Sequence, residues 1–270
     1  MPYTLESLFG MRGRSVAVVG GSSGLGLEIA CALADLGAKI AIIGRTQEKC
    51  DQALAVLRDR TADSLAYRAD VTDEKALREI FADIAATFGT IDGLVNSAGI
   101  NHIEALETVS MEDFNRVLEV NFTGTVLCCK LAGEHMLKNG RGSVVNISSL
   151  STARGKSYYT AYAASKAAVD GFTRALAVEW IQKGINVNAV APGMIVTDIN
   201  RKEVEANPEN FKKRVASIPR GKAGETSSVV APVVALLSPG ARHIVGQTIF
   251  CDGGSSIGDT FVMNKALAGG

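Results

Sequence analysis

Tyr162 and Lys166 are the residues whose types and spacing best suit proton transfer. They lie four positions apart in SYYTAYAASKAAVDGF, whose apolar positions recur with a helical period, so both side chains would share one helix face. A nearby ammonium stabilises a phenolate, so the pair predicts a tyrosine whose pKa is lowered toward the pH at which a general acid or base works best. A tyrosine and a lysine at this spacing also occur by chance in helices, so the prediction needs independent support.

A glycine-rich turn near the start of the chain has the composition of a phosphate-binding loop. It follows the apolar run SVAVV and opens a helical pattern, and its candidate ligand contacts are Gly20, Ser22, Ser23, Gly24, Leu25 and Gly26. Small side chains let the backbone approach a pyrophosphate, which the free N–H groups of a helix N-terminus attract. A tight turn without a ligand is the alternative, but the position between a strand and a helix favours the phosphate.

The end of the second predicted strand indicates which dinucleotide would bind. A site specific for NAD has a carboxylate about 20 residues after the glycine turn, where it holds the ribose 2′-hydroxyl. This chain has Gly44 and Arg45 instead, and an arginine can grip a 2′-phosphate through charge-assisted hydrogen bonds. We therefore expect NADP(H) as the cofactor, with NAD less favoured. The alternative is that Arg45 is a surface arginine at the start of a helix.

The elements that must position these residues alternate between short β-branched runs and longer helical patterns. Helices are predicted at 24–36 and 73–88, for example, each followed by a glycine that would end it. Strands are predicted at 15–19, 38–43, 64–68, 92–96, 143–148, 185–191 and 247–252. This alternation predicts an α/β, single-domain Rossmann fold, a doubly wound parallel sheet of about seven strands with helices on both faces. The domain would span 1–270, with a lid-like excursion at about 197–222 and a C-terminal tail from about 255.

Composition and charge favour a small-molecule partner. Lys plus Arg equals Asp plus Glu at 28 each, so neither nucleic acid nor an anionic membrane is expected as a partner. Five cysteines without paired spacing predict reduced thiols, and no secretory leader or membrane-length apolar run is seen, so a cytoplasmic protein is expected. The three histidines are scattered without metal-binding spacing, so no metal is expected.

The order of the motifs resembles the short-chain dehydrogenase/reductase family. That family's turn reads T-G-x-x-x-G-x-G, which this chain matches except that Val19 replaces the threonine, and its Tyr-x-x-x-Lys pair follows a serine, as Tyr162 follows Ser149 here. The other matches are Asp70-Val71, Asn96-Ser97-Ala98-Gly99 with serine for the second asparagine, Asn121 in EVNFTG, Pro192-Gly193 followed by Thr197, and GQTIFCDGG. The resemblance covers residues 8 to about 254.

The resemblance implies an oxidoreductase that transfers hydride. Tyr162 would exchange a proton with the substrate oxygen, Ser149 would polarise that oxygen, Lys166 would lower the tyrosine pKa and hold the nicotinamide ribose, and Asn121 would seat a water. It also implies cofactor contacts from Asp70, Val71, Asn96, Ala98, Gly99, Tyr162, Lys166, Pro192, Gly193, Ile195 and Thr197. Possible substrate contacts are Ser149, Ser151, Arg154, His102 and Met194.

Three functions stay open on the sequence. The favoured substrate is a small alcohol or ketone, such as a sugar acid, a polyol or a keto compound. Arg154 and Lys156 hint at a polar or acidic substrate, and the alternative is that both face water. A 3-oxoacyl thioester reductase has nearly the same motifs. A catalytically silent dinucleotide-binding sensor or scaffold is disfavoured, because it would need none of the four proposed catalytic residues. The resemblance also implies a homo-oligomer, a tetramer or a dimer, assembled through the helices that carry Asn121 and Tyr162.

Overall fold

A parallel sheet of seven strands organises the computed structural model, which describes residues 3–196 and 208–258. Its order is β3-β2-β1-β4-β5-β6-β7, and β1 pairs with both β2 and β4. Connections therefore run outward in two directions from β1, which leaves a crevice at the carboxyl ends of β1 and β4. The strands are β1 Ser15–Val19, β2 Lys39–Gly44, β3 Ser64–Arg68, β4 Gly93–Asn96, β5 Gly142–Ile147, β6 Ile185–Pro192 and β7 Thr248–Cys251. The predicted fold class is confirmed.

Helices cover both faces of the sheet. The predicted helices 24–36 and 73–88 are observed to within one residue at each end, and Asp73 caps the second by accepting from the N–H of Ala76 at 3.0 Å. A π-helical segment, Glu119–Thr123, joins α5 to α6. The helices are α1 Leu5–Phe9, α2 Gly24–Asp35, α3 Gln47–Arg58, α4 Glu74–Phe88, α5 Met111–Leu118, α6 Gly124–Asn139, α7 Thr160–Trp180, α8 Pro208–Ala216 and α9 Ser227–Leu237.

Alternate strand residues supply two hydrophobic cores. Ala17 and Val19 of β1 belong to a buried cluster with side chains of α4, α6 and α7. Val16 and Val18 belong to a second cluster with side chains of α2, α3 and α9. Successive strand side chains point to opposite faces, and each face is covered by helices, so β1 is buried along its whole length. The sheet is thus a fixed frame for the loops at its carboxyl edge.

Parts of the predicted lid and tail lie outside the described residues. The predicted lid, 197–222, is described from Pro208 onward, where α8 is followed by a turn containing the buried Ile218. Thr197 falls outside the described residues. The tail is described to residue 258, and both the lid and the single domain over 1–270 stay predictions. Within the described ranges, no helix combines the length and the hydropathy that crossing a membrane requires.

Candidate active site

A cavity of about 700 Å³ opens at the carboxyl edge of the sheet. Segments that follow β1, β2, β3, β4, β5 and β6 all contribute to its wall, together with the start of α2 and one face of α7. The sequence-predicted residues that line it are Gly20, Ser22, Ser23, Leu25, Gly26, Arg45, Asp70, Val71, Ala98, Gly99, Ser149, Tyr162, Lys166, Pro192 and Gly193. The structure therefore brings the proposed catalytic end and the proposed dinucleotide end into one continuous space.

The glycine turn is built for close backbone contact. Gly20 has φ +81°, and a Cβ there would lie 2.5 Å from the backbone nitrogen of Ala98. A Cβ on Gly26 would collide with the carbonyl oxygen of Gly20. Ser23 is the N-cap residue of α2, and its side chain makes no capping hydrogen bond. The first N–H groups of α2 are therefore free to donate hydrogen bonds to a ligand in the cavity. A helix N-terminus with free donors attracts anions.

Cations and hydroxyl groups gather where β2 ends. Arg45 and Lys49 are exposed and line the cavity beside Ser22 and Thr46. Lys49 lies in the first turn of α3, one helical turn from Arg45 along the chain, and no sequence motif marks it. A Cβ on Gly44 would collide with the Ser22 hydroxyl, so an acidic side chain at this position would need Ser22 to move. This end of the cavity is therefore positively charged.

Tyr162 and Ser149 meet at the other end of the cavity. Ser149 follows β5 and caps a short 3₁₀ turn by accepting from the N–H of Ser151 at 3.1 Å. Burial raises the pKa of the Tyr162 phenol, while the nearby Ser149 side chain acts to lower it. The net change is upward, opposite to the lowering predicted from Lys166, which is not among the groups that shift this pKa, so the phenol is protonated at neutral pH.

Lys166 is buried beneath the tyrosine ring. Its Nζ lies 5.8 Å from the ring centroid of Tyr162 and donates to the carbonyl oxygen of Ile147 at 2.7 Å. Burial lowers the pKa of Lys166 to about 8, against the opposing effect of Asp170. A Cβ on Gly99 would lie 3.7 Å from the same Nζ, so the ammonium sits directly behind the loop that follows β4. The amine is held by its hydrogen bond to the Ile147 carbonyl and packs behind Gly99.

Asn121 lies in the π-helical segment, fully buried and next to Lys166 behind Gly99. Its side-chain oxygen accepts from the N–H of Ile100 at 2.7 Å, and its amide donates to the Ile100 carbonyl at 2.9 Å and to Ser165 Oγ at 3.0 Å. Those bonds occupy the side-chain amide, which therefore holds the loop after β4 against α7. Asn121 does not itself line the cavity.

Some predicted cofactor contacts point elsewhere. Gly24 does not line the cavity, and Asn96 directs its amide into the core, where it donates to Asn146 Oδ1 at 2.9 Å. Ile195 is buried in the core and forms a bridge with Gly224.

Asp70 does face the cavity. Partial burial opposes the ionisation of Asp70, but hydrogen bonds from Thr72 and from Arg116 lower its pKa, so it is a carboxylate.

The predicted substrate contacts do not all line the main cavity. His102 Nε2 lies 2.7 Å from Glu104, and Arg154 is exposed on the loop after Ser151. Met194 lines a separate cavity of about 470 Å³. Ser149 itself lines the main cavity, and Ser151 contacts it through a hydrogen bond between the two hydroxyl groups at 3.3 Å. Lys156 stacks over the ring of Tyr159 at 3.7 Å, so its charge is already engaged.

Several lining residues were not foreseen from the sequence. They are Ile43, Thr46, Lys49, Ala69, Ser97, Ile100, Asn101, Val120, Ile147 and Ser148. Ser148 is 2% exposed, and its buried hydroxyl has no hydrogen-bond partner among the described residues. Its position directly before Ser149 could have signalled it. Within residues 3–196 and 208–258, no cluster of three His, Cys, Asp or Glu residues could hold a metal ion.

The doubly wound sheet, with its cavity at the switch point, defines an α/β protein of the Rossmann type. A family model described as enoyl-(acyl carrier protein) reductase matches residues 19–256. The chain is 33% identical over 249 residues to D-threitol dehydrogenase from Mycolicibacterium smegmatis, which covers 92% of this chain and 95% of that protein. It is 38% identical over 238 residues to 3-oxoacyl-(acyl-carrier-protein) reductase from Bos taurus, covering 88% and 96%.

A solved structure agrees in fold. A protein from Beutenbergia cavernae, described as an NAD(P)-dependent gluconate 5-dehydrogenase and holding NADP at low occupancy, matches with a TM-score of 0.86 at 36% identity, covering 92% of this chain and 98% of that one. The chain belongs to the short-chain dehydrogenase/reductase family, a family of oxidoreductases.

Proposed function

We propose that this protein is an NADP(H)-dependent oxidoreductase that interconverts a small alcohol and the corresponding ketone, with Tyr162 as the general acid and base. The observation that carries the proposal is the convergence of Ser149, Tyr162 and buried Lys166 at one end of a cavity whose other end holds Arg45 and Lys49. Proton-transfer groups and a phosphate-binding surface thus share a single space, as hydride transfer from a dinucleotide requires.

The residues present fit NADP(H). The Gly20–Gly26 turn would receive the pyrophosphate, because the start of α2, which has no side-chain cap, lines the cavity there. Gly20 and Gly26 allow the close backbone packing that this turn requires. Arg45 and Lys49 would bind the 2′-phosphate, and no carboxylate stands at Gly44 to compete with it. The unpaired hydroxyl of Ser148 is a further polar group for the cofactor. When bound, the nicotinamide supplies the hydride that the protein has no side chain to provide.

The chain's own residues would handle the proton and the developing charge. Tyr162 is protonated at neutral pH because burial raises its pKa, so in reduction it can donate its proton to the substrate oxygen. Ser149 would donate a hydrogen bond to the same oxygen as negative charge develops there. Lys166 would stabilise the phenolate that remains, and Asn121 would hold the loop that separates Lys166 from solvent. In oxidation each transfer runs in reverse.

The substrate is proposed to be a sugar acid, a polyol or a related small keto compound. The support is the similarity to D-threitol dehydrogenase and to the protein described as a gluconate 5-dehydrogenase. The second candidate is a 3-oxoacyl thioester reductase, favoured by the 38% identity to 3-oxoacyl-(acyl-carrier-protein) reductase and by the description of the matching family model. As part of the same proposal, the enzyme acts in the cytoplasm as a homo-oligomer, a tetramer or a dimer.

One assay separates these candidates. Purified protein with NADPH is given, in parallel, a panel of ketoses and keto acids and an acetoacetyl thioester, and the loss of NADPH absorbance is followed. Faster turnover of the polar ketones supports the proposal, whereas faster turnover of the thioester favours the second candidate. A flat trace with every carbonyl compound would instead indicate a silent dinucleotide-binding module and overturn the catalytic assignment.

A further inference from the structure

Four arginines surround a cavity at the edge of the sheet opposite the candidate active site. Arg12, Arg14, Arg141 and Arg242 line this space of about 560 Å³, which we call the arginine cavity. Arg12 and Arg14 precede β1, Arg141 precedes β5, and Arg242 follows α9, so the cavity lies at the amino ends of the strands. The five residues of β1 separate the two edges by about 16 Å. A ligand here would not overlap the active-site cavity.

The positive charge of the arginine cavity exceeds its negative charge. Asp92 is the one carboxylate among the described residues that line it. Its Oδ1 lies 3.0 Å from Nε of Arg141, and its Oδ2 accepts from the N–H of Ser15 at 3.1 Å. Arg12 and Arg242 are exposed and make no ion pair with any residue in 3–196 or 208–258. Two guanidinium groups therefore face the cavity without a counter-charge.

Charge at helix ends explains only part of this arrangement. Cations at a helix C-terminus stabilise the helix dipole, and Arg14 does this by donating to the carbonyl oxygen of Leu237, the last residue of α9, at 2.6 Å. Arg12 and Arg242 donate to no helix carbonyl in the described chain. Burial lowers the pKa of Arg14, and Arg242 and Arg141 lower it further, whereas Asp92 raises it. Asp92 and the helix end therefore neutralise only part of the local positive charge.

We propose that the arginine cavity binds a small polyanion with two neighbouring anionic groups, either phosphoryl or carboxylate. Planar guanidinium groups accept both kinds of oxygen pair with two parallel hydrogen bonds each. The site is a concave space of small-molecule size, which distinguishes it from a flat basic surface suited to a nucleic-acid backbone. Gly13 and Gly140 line it without side chains, and an added Cβ at either would meet nothing within 4 Å, so a ligand can reach the backbone beside the guanidinium groups.

Calorimetric titration with inorganic pyrophosphate, and in parallel with citrate, tests this proposal at constant ionic strength. The two probes separate the phosphoryl from the carboxylate chemistry. Because the glycine turn is itself proposed to receive a pyrophosphate, the titration is run with saturating NADP⁺, and we expect saturable one-to-one binding of at least one probe. The double variant Arg12→Gln/Arg242→Gln should bind that probe about a hundredfold more weakly, about tenfold for each guanidinium removed. Both arginines are exposed, so the unfolding temperature of the free variant should stay that of the parent.

Two matched controls locate the binding. Arg58→Gln removes an exposed arginine of α3 that does not line the cavity and should leave binding unchanged. Arg45→Gln alters the active-site cavity and should also leave it unchanged, so failure of the proposed cofactor assignment would not disturb the result. The proposal is overturned if neither probe binds the parent protein, if the double variant binds as the parent does, or if either control loses binding equally.

Discussion

Replacing Lys166 with methionine should stabilise this protein at neutral pH while abolishing the proposed activity. Lys166 is 5% exposed, and its ammonium donates a hydrogen bond to the carbonyl of Ile147. Burial lowers its pKa from the ordinary 10.5 to about 8, although Asp170 opposes the change. Methionine has a similar length and no charge, so it can occupy the same space without the free-energy cost of burying an ammonium.

The size and the sign of the effect follow from linkage. The fall in pKa from 10.5 to about 8 corresponds to about 3 kcal/mol of lost folding free energy at pH 7. Loss of the hydrogen bond to Ile147 offsets about 1–2 kcal/mol, so a net gain on the order of 1–2 kcal/mol is expected. Between pH 8 and 10.5 the unfolded wild-type chain binds more protons than the folded one, so wild-type stability rises with pH there. The advantage of the variant should therefore be complete below pH 8, vanish at about pH 9, and become a deficit of about 1–2 kcal/mol by pH 10.5, where only the loss of the hydrogen bond remains.

Urea unfolding at pH 7 and at pH 10 measures this difference. Trp180 is the chain's single tryptophan and is 6% exposed, so its fluorescence reports the unfolding of the core. Protein concentration is held constant, since any self-association would add to the apparent stability. Lys49→Met, which replaces an exposed lysine, serves as the control and should show no gain that depends on pH. A Lys166→Met variant less stable than wild type at pH 7, or one whose advantage is equal at both pH values, would refute the reasoning.

Two further predictions concern the cofactor end of the cavity. Gly44→Ala places a Cβ against the Ser22 hydroxyl and 2.9 Å from Sγ of Cys50. We therefore expect about 1–3 kcal/mol of destabilisation in urea unfolding, together with weaker NADPH binding. The control is Gly155→Ala, where a Cβ meets nothing within 4 Å, and it should change neither the stability nor the binding. Arg45→Gln should weaken NADPH binding about tenfold in a fluorescence titration and leave NADH binding unchanged, because only NADPH carries the 2′-phosphate. Equal losses for the two cofactors would contradict the role given to Arg45.

The order of the strands and helices could be predicted because the signal is local. Strands that are buried on both faces form continuous apolar runs in the sequence. The helices that cover them have apolar residues at the helical period and end at a glycine, as α4 does at Gly89. The predicted ends of the strands and helices are less accurate than their order, because they depend on tertiary contacts. The last strand was predicted at 247–252, but Gln247 donates its N–H to the side chain of Asn188, and Asp252 accepts from the turn at Gly254, so both lie outside β7.

The candidate site was predictable where one turn or one helix face holds the residues together. Tyr162 and Lys166 share α7, so their spacing alone brings them to the same cavity. Burial, which depends on distant segments, was not predictable, and it reverses the expected direction of the pKa change at Tyr162. The same limit applies to Asn96, whose amide pairs in the core with Asn146 of a neighbouring strand. Lys49 was missed because an exposed lysine in a helix has no distinguishing pattern.

The central claim is that the hydroxyl of Tyr162 carries the proton in hydride transfer. The most direct measurement compares Tyr162→Phe with the parent protein for NADPH affinity and for turnover of the best carbonyl substrate. We expect NADPH binding within a factor of about two and a loss of at least about a thousandfold in kcat, because the ring remains while the proton donor is removed. Turnover close to that of the parent protein would contradict this claim.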